Sequence, residues 1–348
     1  MNKAILKPGR EASLKNGHPW IFSGALRSLP SIEPGEILPV ESARGDHLGY
    51  AYFHPKQSLA GRMLTFDARD PLDAVVQSLR RAVEFRRTTI LSEITNACRL
   101  VNAEADNLPG LIVDQYADVL VLQIGTWGME RLRPTILKFL ADEVRPRAIL
   151  EISQSGSRLS EGLQPVREPL LGEVPEEIEC LEEGVRFIVP LEKGQKTGFF
   201  LDQRENRAQL RRLSRGKRVL NCFSYTGGFS LHALAGGAKE VVSVDVSQPA
   251  LDFIPRQLAL NGLDQNFSRA VCEDAFRFLE EQSLEYEIVV LDPPAFAKKK
   301  KDLPNAINGY RNLNRTALAK MPQNTLLLTC SCSYFVPRES FELMLKQA

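Results

Sequence analysis

At 348 residues, with 43% hydrophobic and 25% charged side chains, the chain has the composition of an ordinary globular protein and is long enough for two or three domains. A net charge of +1 gives no overall attraction to polyanions, so any nucleic-acid surface has to be a local patch. No apolar run reaches the ~18 residues of a membrane span, the start lacks an apolar signal core, and the six cysteines show neither C-x-x-C pairs nor zinc spacing with histidine. The expectation is a soluble protein of the reducing cytoplasm, with no membrane and no metal.

Residues 1–70 read as short strands broken by Gly and Pro. Ile37–Val40, Leu48–Phe53 and Arg62–Phe66, with turn clusters such as Ala43–Asp46 between them, predict a small β-barrel. Arg10, Lys15, His18, Trp20 and Phe22 bring positive charge and aromatic faces together near the start, a mixture that suits RNA backbone and bases. Trp20 and Phe22 fit a barrel core better, and Arg10 and Lys15 fit an RNA contact and a solvated surface equally well.

From Pro71 the pattern changes. Apolar residues at Val75, Val76, Leu79, Val83 and Phe85 predict a helix over 72–91, with Arg80, Arg81, Arg86 and Arg87 on other faces, where a solvated surface fits better than a contact with RNA. Leu100–Ala103 and Leu111–Asp114, joined through Asp106–Gly110, predict a hairpin. A strand over 119–124, a helix over 131–140 with Pro134 in its first turn, and a strand over 148–152 complete an α+β middle domain, 71–190, in which no chemistry is visible. Strands are expected again over 176–190.

Residues 191–348 alternate strand and helix, which predicts a parallel, doubly wound sheet with ligands at the carboxyl ends of its strands. Val219–Phe223 is a buried strand, Ser224–Gly228 a glycine turn, Phe229–Leu234 a helix and Val241–Val244 a second strand tipped by Asp245. Gly227 and Gly228 let the backbone turn tightly against a ligand, and a carboxylate after the second strand suits a ribose. The glycines do not fit G-x-G-x-x-G, so a nucleoside without a pyrophosphate is favoured: S-adenosylmethionine (SAM) ahead of a nicotinamide cofactor. Further on come a helix over 248–260 containing Pro255, a strand over 268–271, a helix over 276–281, a strand over 287–291, a helix over 313–320, a strand over 325–329 and a last helix over 337–347.

Two strand ends carry chemistry. Asp292-Pro293-Pro294 follows the fourth strand, and its prolines stiffen the loop and leave Asp292 and nearby carbonyls to meet the edge of a flat polar ring. Thr329-Cys330-Ser331-Cys332-Ser333 follows the fifth. A thiolate adding to C6 of cytosine makes C5 enamine-like and able to take a methyl group, and a carboxyl near N3 favours that addition. One of the two cysteines is expected to be that nucleophile; the other four are expected to be structural. The lysine run 298–301 beside the Asp-Pro-Pro loop suits phosphate contacts and a solvated loop alike.

The stretches GREASLKNGHPWIFSGAL, EADNLPGLIVDQY, KTGFFLDQREN, VLNCFSYTGGFS, VVSVDVSQPALD, LDPPAFA, GYRNLN and LLTCSCS are spread along nearly the whole of residues 5–345. In these the chain resembles the bacterial ribosomal RNA large-subunit cytosine-5 methyltransferases that carry an N-terminal PUA domain. The resemblance implies an α/β protein with a PUA-like RNA-binding β-barrel over 1–70, a middle α+β domain over 71–190 and a class I, Rossmann-like SAM methyltransferase domain over 191–348. It implies SAM contacts at Lys196, Thr197, Gly198, Phe199 and Phe200, at Phe223, Ser224, Tyr225, Thr226, Gly227 and Gly228, and at Asp245, Asp274, Asp292 and Pro293. Ribosomal RNA would be the substrate, with Arg10, Lys15, Lys298 and Lys299 as contacts. The family's Ser-Cys-Ser pattern puts the nucleophile on Cys332, with Asp292 beside it. Cys330 stands where relatives often have an apolar residue, in a Thr-Cys-Ser context similar to that of other cytosine-5 enzymes.

Class I methyltransferases usually close the sheet with an antiparallel hairpin after the last helix. Here the sequence ends after that helix, so the fifth strand is expected at a sheet edge: either a homodimer or another partner covers it, the sequence is cut short, or the domain is impaired. Two alternatives stay open: a SAM-dependent methyltransferase acting on a guanine or adenine nitrogen, and a SAM- and RNA-binding protein without turnover.

Overall fold

A computed structural model describes residues 2–191, 198–297 and 299–348, which group into two compact units: Met1–Leu181 with Val189–Leu201, and Glu182–Ile188 with Asp202–Ala348.

In the first unit, β1 (Ala4–Leu6), a single helical turn α1 (Ala12–Lys15), β2 (Trp20–Phe22), β3 (Leu26–Ser28), β4 (Glu36–Glu41), β5 (His47–Phe53) and β6 (Leu59–Thr65) build a six-stranded sheet. Its order is β2-β6-β5-β4-β1-β3, antiparallel throughout except for β1 against β4. The three strands expected from the sequence are β4, β5 and β6. In β2 the side-chain period of two sends Ile21 into the core and Trp20 and Phe22 to the other face. Phe22 is therefore 50% exposed, not core as expected, and the Trp20 indole N–H reaches Glu104 Oε1 at 3.1 Å.

The same unit continues with α2 (Pro71–Thr89), β7 (Ala97–Asn102), β8 (Leu111–Tyr116), β9 (Val119–Ile124), α3 (Trp127–Arg131), α4 (Arg133–Phe139), β10 (Ala148–Ser153), α5 (Gly156–Ser160) and β11 (Val166–Leu171). Asp70 starts α2 by accepting hydrogen bonds from the backbone N–H groups of Leu72 and Asp73, with Pro71 at the position that needs no donor. Strands β7 to β11 form a second sheet, order β11-β10-β9-β8-β7. Arg86 departs from the solvated face expected of it: it is buried and grips Asp106 with both terminal nitrogens, at 2.6 and 2.9 Å. Tyr52 of the first sheet lies within the hydrophobic cluster of α2 and the second sheet. Its hydroxyl donates to Pro109 O at 2.7 Å, and a Cβ on Gly128 would come within 2.1 Å of its ring.

A ribbon of β12 (Glu177–Glu182) and β13 (Val185–Pro190) follows and gives residues to both units.

The second unit comprises α6 (Arg204–Leu213), β14 (Arg218–Cys222), α7 (Gly228–Ala235), β15 (Glu240–Asp245), α8 (Gln248–Leu251), α9 (Phe253–Leu260), β16 (Ser268–Cys272), α10 (Ala275–Glu281), β17 (Ile288–Leu291), α11 (Leu303–Lys320), β18 (Leu326–Thr329) and α12 (Arg338–Gln347). Five strands make a wholly parallel sheet, order β16-β15-β14-β17-β18, with the direction of winding reversing between β14 and β17. The helix expected over 248–260 is broken at Asp252, and Pro255 falls in the first turn of α9, where a missing N–H costs nothing. Helix α11 begins ten residues earlier than expected, because Asn305, Asn308 and Gly309 hide its periodicity; Gly309 lies against the Phe296 ring.

Polar contacts pin the sheet from inside. Asn221 Nδ2 in β14 donates to Ser230 Oγ of α7 at 2.9 Å, and that hydroxyl shares a proton with Ser243 Oγ of β15 at 2.7 Å. Glu182, brought in by the ribbon, is wholly buried and receives Arg207 of α6 through Nε at 2.6 Å and a terminal nitrogen at 2.8 Å. His232 of α7 lies 3.4 Å from the same carboxylate and stacks on Phe187.

Candidate active site

Strand β14 leaves the core at Cys222 and the chain enters a contorted turn. Phe223 (φ 59°), Tyr225 (φ 49°) and Gly227 (φ 84°) all adopt left-handed backbone angles. Two non-glycine residues in that region within three positions is strain of the kind a structure keeps where a ligand is to be held. Glycine is required at 227 for a second reason, since a Cβ there would sit 2.7 Å from Ile254 Cγ1. The turn closes on itself through Gly227 N–H to Ser224 O at 2.9 Å and is tied to the next strand by Ser224 N–H to Val244 O at 3.0 Å.

Asp245, at the end of β15, organises this turn from outside it. Its Oδ2 accepts from Tyr225 N–H at 2.8 Å and its Oδ1 from Ser247 N–H at 2.9 Å. Each carboxylate oxygen offers two lone pairs, so both can still accept from a vicinal diol such as a ribose. The Ser224 hydroxyl is buried and has no hydrogen-bond partner among the described residues. On the next strand end, Asp274 caps α10 through Oδ1, which accepts from Arg277 N–H at 3.1 Å, and Glu273 N–H donates to Asp245 O at 3.1 Å. An acid-lined, glycine-floored cradle at the carboxyl ends of β14, β15 and β16 fits a nucleoside.

On the other side of the reversal point, Leu291 of β17 and Thr329 of β18 are register partners, so the loops that follow them leave the sheet side by side. Asp292 Oδ1 accepts from Gln203 Nε2 at 3.0 Å. Cys330 N–H donates to Leu291 O at 2.9 Å, and the Cys330 thiol lies 3.9 Å from Gln203 Oε1. Cys332 is an exposed residue whose thiol lies 3.6 Å from Pro293 O in a half-buried contact. Behind the cysteines, the buried Ser333 hydroxyl accepts from Ala297 N–H at 3.2 Å and shares a proton with the Tyr310 hydroxyl at 2.9 Å, while the Phe296 ring packs 4.5 Å from that of Tyr310.

The two thiols sit in different surroundings. Burial, helped by the Asp292 charge, pushes the Cys330 thiol up to about 12, so it stays protonated at neutral pH. Cys332 is open to solvent.

The glycine turn, Asp245, Asp274, Asp292, Pro293, Cys330 and Cys332 thus all lie at the carboxyl ends of one sheet. Gly198, Phe199 and Phe200 belong to the first unit, where Phe199 is buried and its N–H donates to the Tyr116 hydroxyl at 3.3 Å. Lys196, Thr197 and Lys298 lie outside the described residues. Lys299, Arg10 and Lys15 are exposed. Of the remaining cysteines, Cys98, Cys180 and Cys222 are buried and Cys272 is exposed. Gln203, Tyr310 and Ser333 were not singled out from the sequence, although each falls inside or beside a motif that was. Among the described residues no group of three or more His, Cys, Asp or Glu is placed to hold a metal, and no helix is long and apolar enough to cross a membrane.

Known proteins resemble the chain in sequence and in fold. A family profile described as S-adenosylmethionine-dependent methyltransferase matches residues 163–341, and one described as a PUA-like domain matches residues 4–66. The chain is 37% identical over 352 residues to the ribosomal RNA large subunit methyltransferase I of Alteromonas mediterranea, covering 99% of this chain and 89% of that protein. To the protein of the same name from Shewanella denitrificans it is 39% identical over 351 residues, covering 99% and 88%. A solved structure of a protein described as a methyltransferase, complexed with S-adenosylhomocysteine, superposes with a TM-score of 0.85 at 26% identity and covers 100% of this chain and 90% of its own. A Streptococcus mutans protein described as a SAM-dependent methyltransferase gives a TM-score of 0.83 at 25% identity with the same coverage.

Proposed function

The chain belongs to the SAM-dependent methyltransferase family, with a PUA-like N-terminal domain and relatives named ribosomal RNA large subunit methyltransferase I, and from that premise we propose that it methylates C5 of a cytosine in large-subunit ribosomal RNA. The observation that carries the reading is the side-by-side exit of the Asp292 and Cys332 loops, with the Cys332 thiol 3.6 Å from Pro293 O. A carboxylate and a sulfur nucleophile are what addition to a cytosine requires, and an N-methylation has no use for the second.

SAM is the cofactor, and when bound it supplies an electrophilic methyl group. Asp245 would hold the ribose hydroxyls, the Ser224–Gly228 turn and Asp274 would enclose the nucleoside, and Asp292 would meet the edge of the target base. The Cys332 thiolate adds to C6; the ring electrons move to N3, which takes a proton under the influence of Asp292. C5, now enamine-like, is the carbon that would receive the methyl group, whose bond to the SAM sulfur breaks to leave a neutral thioether. A base removes the C5 proton, the C5–C6 double bond re-forms as the Cys332 thiolate leaves, and N3 gives back the proton it took. Burial raises the Cys330 thiol, which favours Cys332 as the nucleophile. Arg10, Lys15, Lys298 and Lys299 are proposed phosphate contacts, and an RNA substrate of this kind places the enzyme in the cytoplasm.

Trapping on RNA containing 5-fluorocytosine tests the proposal, since fluorine at C5 blocks release of the sulfur. A covalent complex is expected with the wild-type chain and with Cys330→Ala, and none with Cys332→Ala. An adduct that survives Cys332→Ala moves the nucleophile elsewhere. Methylation undiminished in both cysteine variants, with a methylated purine as product, replaces the reading by nitrogen methylation.

A further inference from the structure

We infer that Gln203 is a positioning residue whose side-chain amide sets the plane of the Asp292 carboxylate against the target base. This rests on the reading above that Asp292 meets the base edge. Gln203 immediately precedes α6 and reaches the loop after β17 with its side chain, Nε2 donating to Asp292 Oδ1 at 3.0 Å. A carboxylate needs such a partner: the terminal torsion of an aspartate is broad, so the stiff Pro293-Pro294 backbone fixes where Asp292 starts but not how its oxygens are turned.

The amide is itself locked. Its Oε1 accepts from Asn206 Nδ2 at 2.6 Å, one turn further along, and faces the Cys330 thiol at 3.9 Å. An ionised carboxylate can only accept, so turning the amide over would set oxygen against oxygen at Asp292. Cys330, whose burial keeps it a thiol, is a donor on the matching side. The chain Asn206 to Gln203 to Asp292 therefore has one consistent direction. A hydrogen bond donated to the carboxylate favours its charged form, and losing that bond has to show in its titration.

The test follows the Asp292 carboxyl carbon by 13C NMR through a pH titration of the full chain, and single-turnover methylation of a ribosomal RNA transcript across the same pH range. In Gln203→Leu the carboxyl is expected to titrate at higher pH, the acidic limb of the rate profile to move with it, and kcat to fall roughly 10- to 100-fold, while the Kd for SAM stays at the wild-type value. Gln203→Glu should move both further, because a second carboxylate opposes ionisation of the first. Asn206→Ala, at an exposed position that poses no risk to folding, should move them in the same direction by less. An Asp292 titration and rate profile that stay in place in all three variants overturn the inference, as does a fall in kcat with no movement of either. The product nucleoside separates this outcome from the fate of the function itself. A methylated purine from the wild-type chain overturns the cytosine reading, whereas the Asp292 titration stands or falls without turnover.

Discussion

Ser333 Oγ and Ala297 N–H meet at 3.2 Å, which fastens the loop carrying Cys332 to the loop carrying Asp292. The Tyr310 hydroxyl, from α11, shares the same serine at 2.9 Å, so a single buried side chain joins these two loops and a helix. Ser333→Ala leaves Ala297 N–H buried without an acceptor, a loss of about 1–3 kcal/mol. Formation of the 5-fluorocytosine adduct should slow at least tenfold with the Kd for SAM unchanged, and Ser333→Thr should restore most of it. Equal adduct rates in wild type and Ser333→Ala would show that the loops hold their places without this bond.

Gly227→Ala should damage cofactor binding more than stability. The left-handed backbone costs about 1 kcal/mol for a residue with a Cβ, and the new methyl meets Ile254 Cγ1 at 2.7 Å. The expected result, read by calorimetry, is a Kd for SAM raised by an order of magnitude or more. Adding Ile254→Ala should recover part of that loss by removing the obstacle. A double variant no better than the single one would assign the effect to backbone strain alone.

The buried pair Arg207 and Glu182 predicts a large, asymmetric stability effect. Either side chain removed alone strands a charge in the interior, so Arg207→Ala or Glu182→Ala should lose about 3–5 kcal/mol in urea unfolding. Replacing both by apolar residues of similar volume, as in Arg207→Met with Glu182→Leu, should cost much less than either single change. Additive losses in the double variant would contradict that account.

His232 gives the same region a pH dependence. Burial holds its pKa below the ordinary histidine value; the Glu182 carboxylate pulls the other way but is itself neutralised by Arg207, which adds its own opposing charge. The group is neutral when folded and takes up a proton more readily when unfolded. Its contribution to stability is therefore fully present above the unfolded value of about 6.5 and is lost as pH falls through that value towards the lower folded one. Burial raises Glu182, but His232 and Arg207 outweigh it and hold that carboxyl below its ordinary range, so its contribution is lost in more acidic solution still. Urea midpoints measured between pH 7 and 5 should fall, and should fall less in His232→Phe, which keeps the stacking on Phe187. A parallel decline in both chains would remove His232 as the cause.

Lys299, Lys300 and Lys301 are exposed beside the Asp-Pro-Pro loop. If each meets a phosphate, replacing all three by Ala should flatten the plot of log K against log salt for RNA binding by about 2. An unchanged slope would make the run a solvated loop.

The parallel sheet was legible because most of its strands are short apolar runs alternating with helical stretches, as in Val219–Phe223 and Val241–Val244. Less could be read where one residue type serves two purposes. Arg86 has the sequence look of a solvated helix arginine, and only the fold shows Asp106 within its reach. Phe22 resembles a core aromatic until the strand's alternation hands the interior to Ile21. The strand ends were visible in the acids and cysteines that occupy them. Their supports were not: Gln203, Tyr310 and Ser333 are ordinary residues whose roles depend on partners 23 to 89 positions away.

The seat of Tyr52 bears on how this protein can be taken apart. Its ring lies flat on Gly128 and its hydroxyl bonds Pro109 O, so a cut near residue 66, at the end of the PUA-like match, would pull a plug out of the neighbouring sheet. A graft that swaps in a foreign N-terminal module has to bring a tyrosine to this socket, or move the boundary beyond Leu171 and carry the whole second sheet along with it.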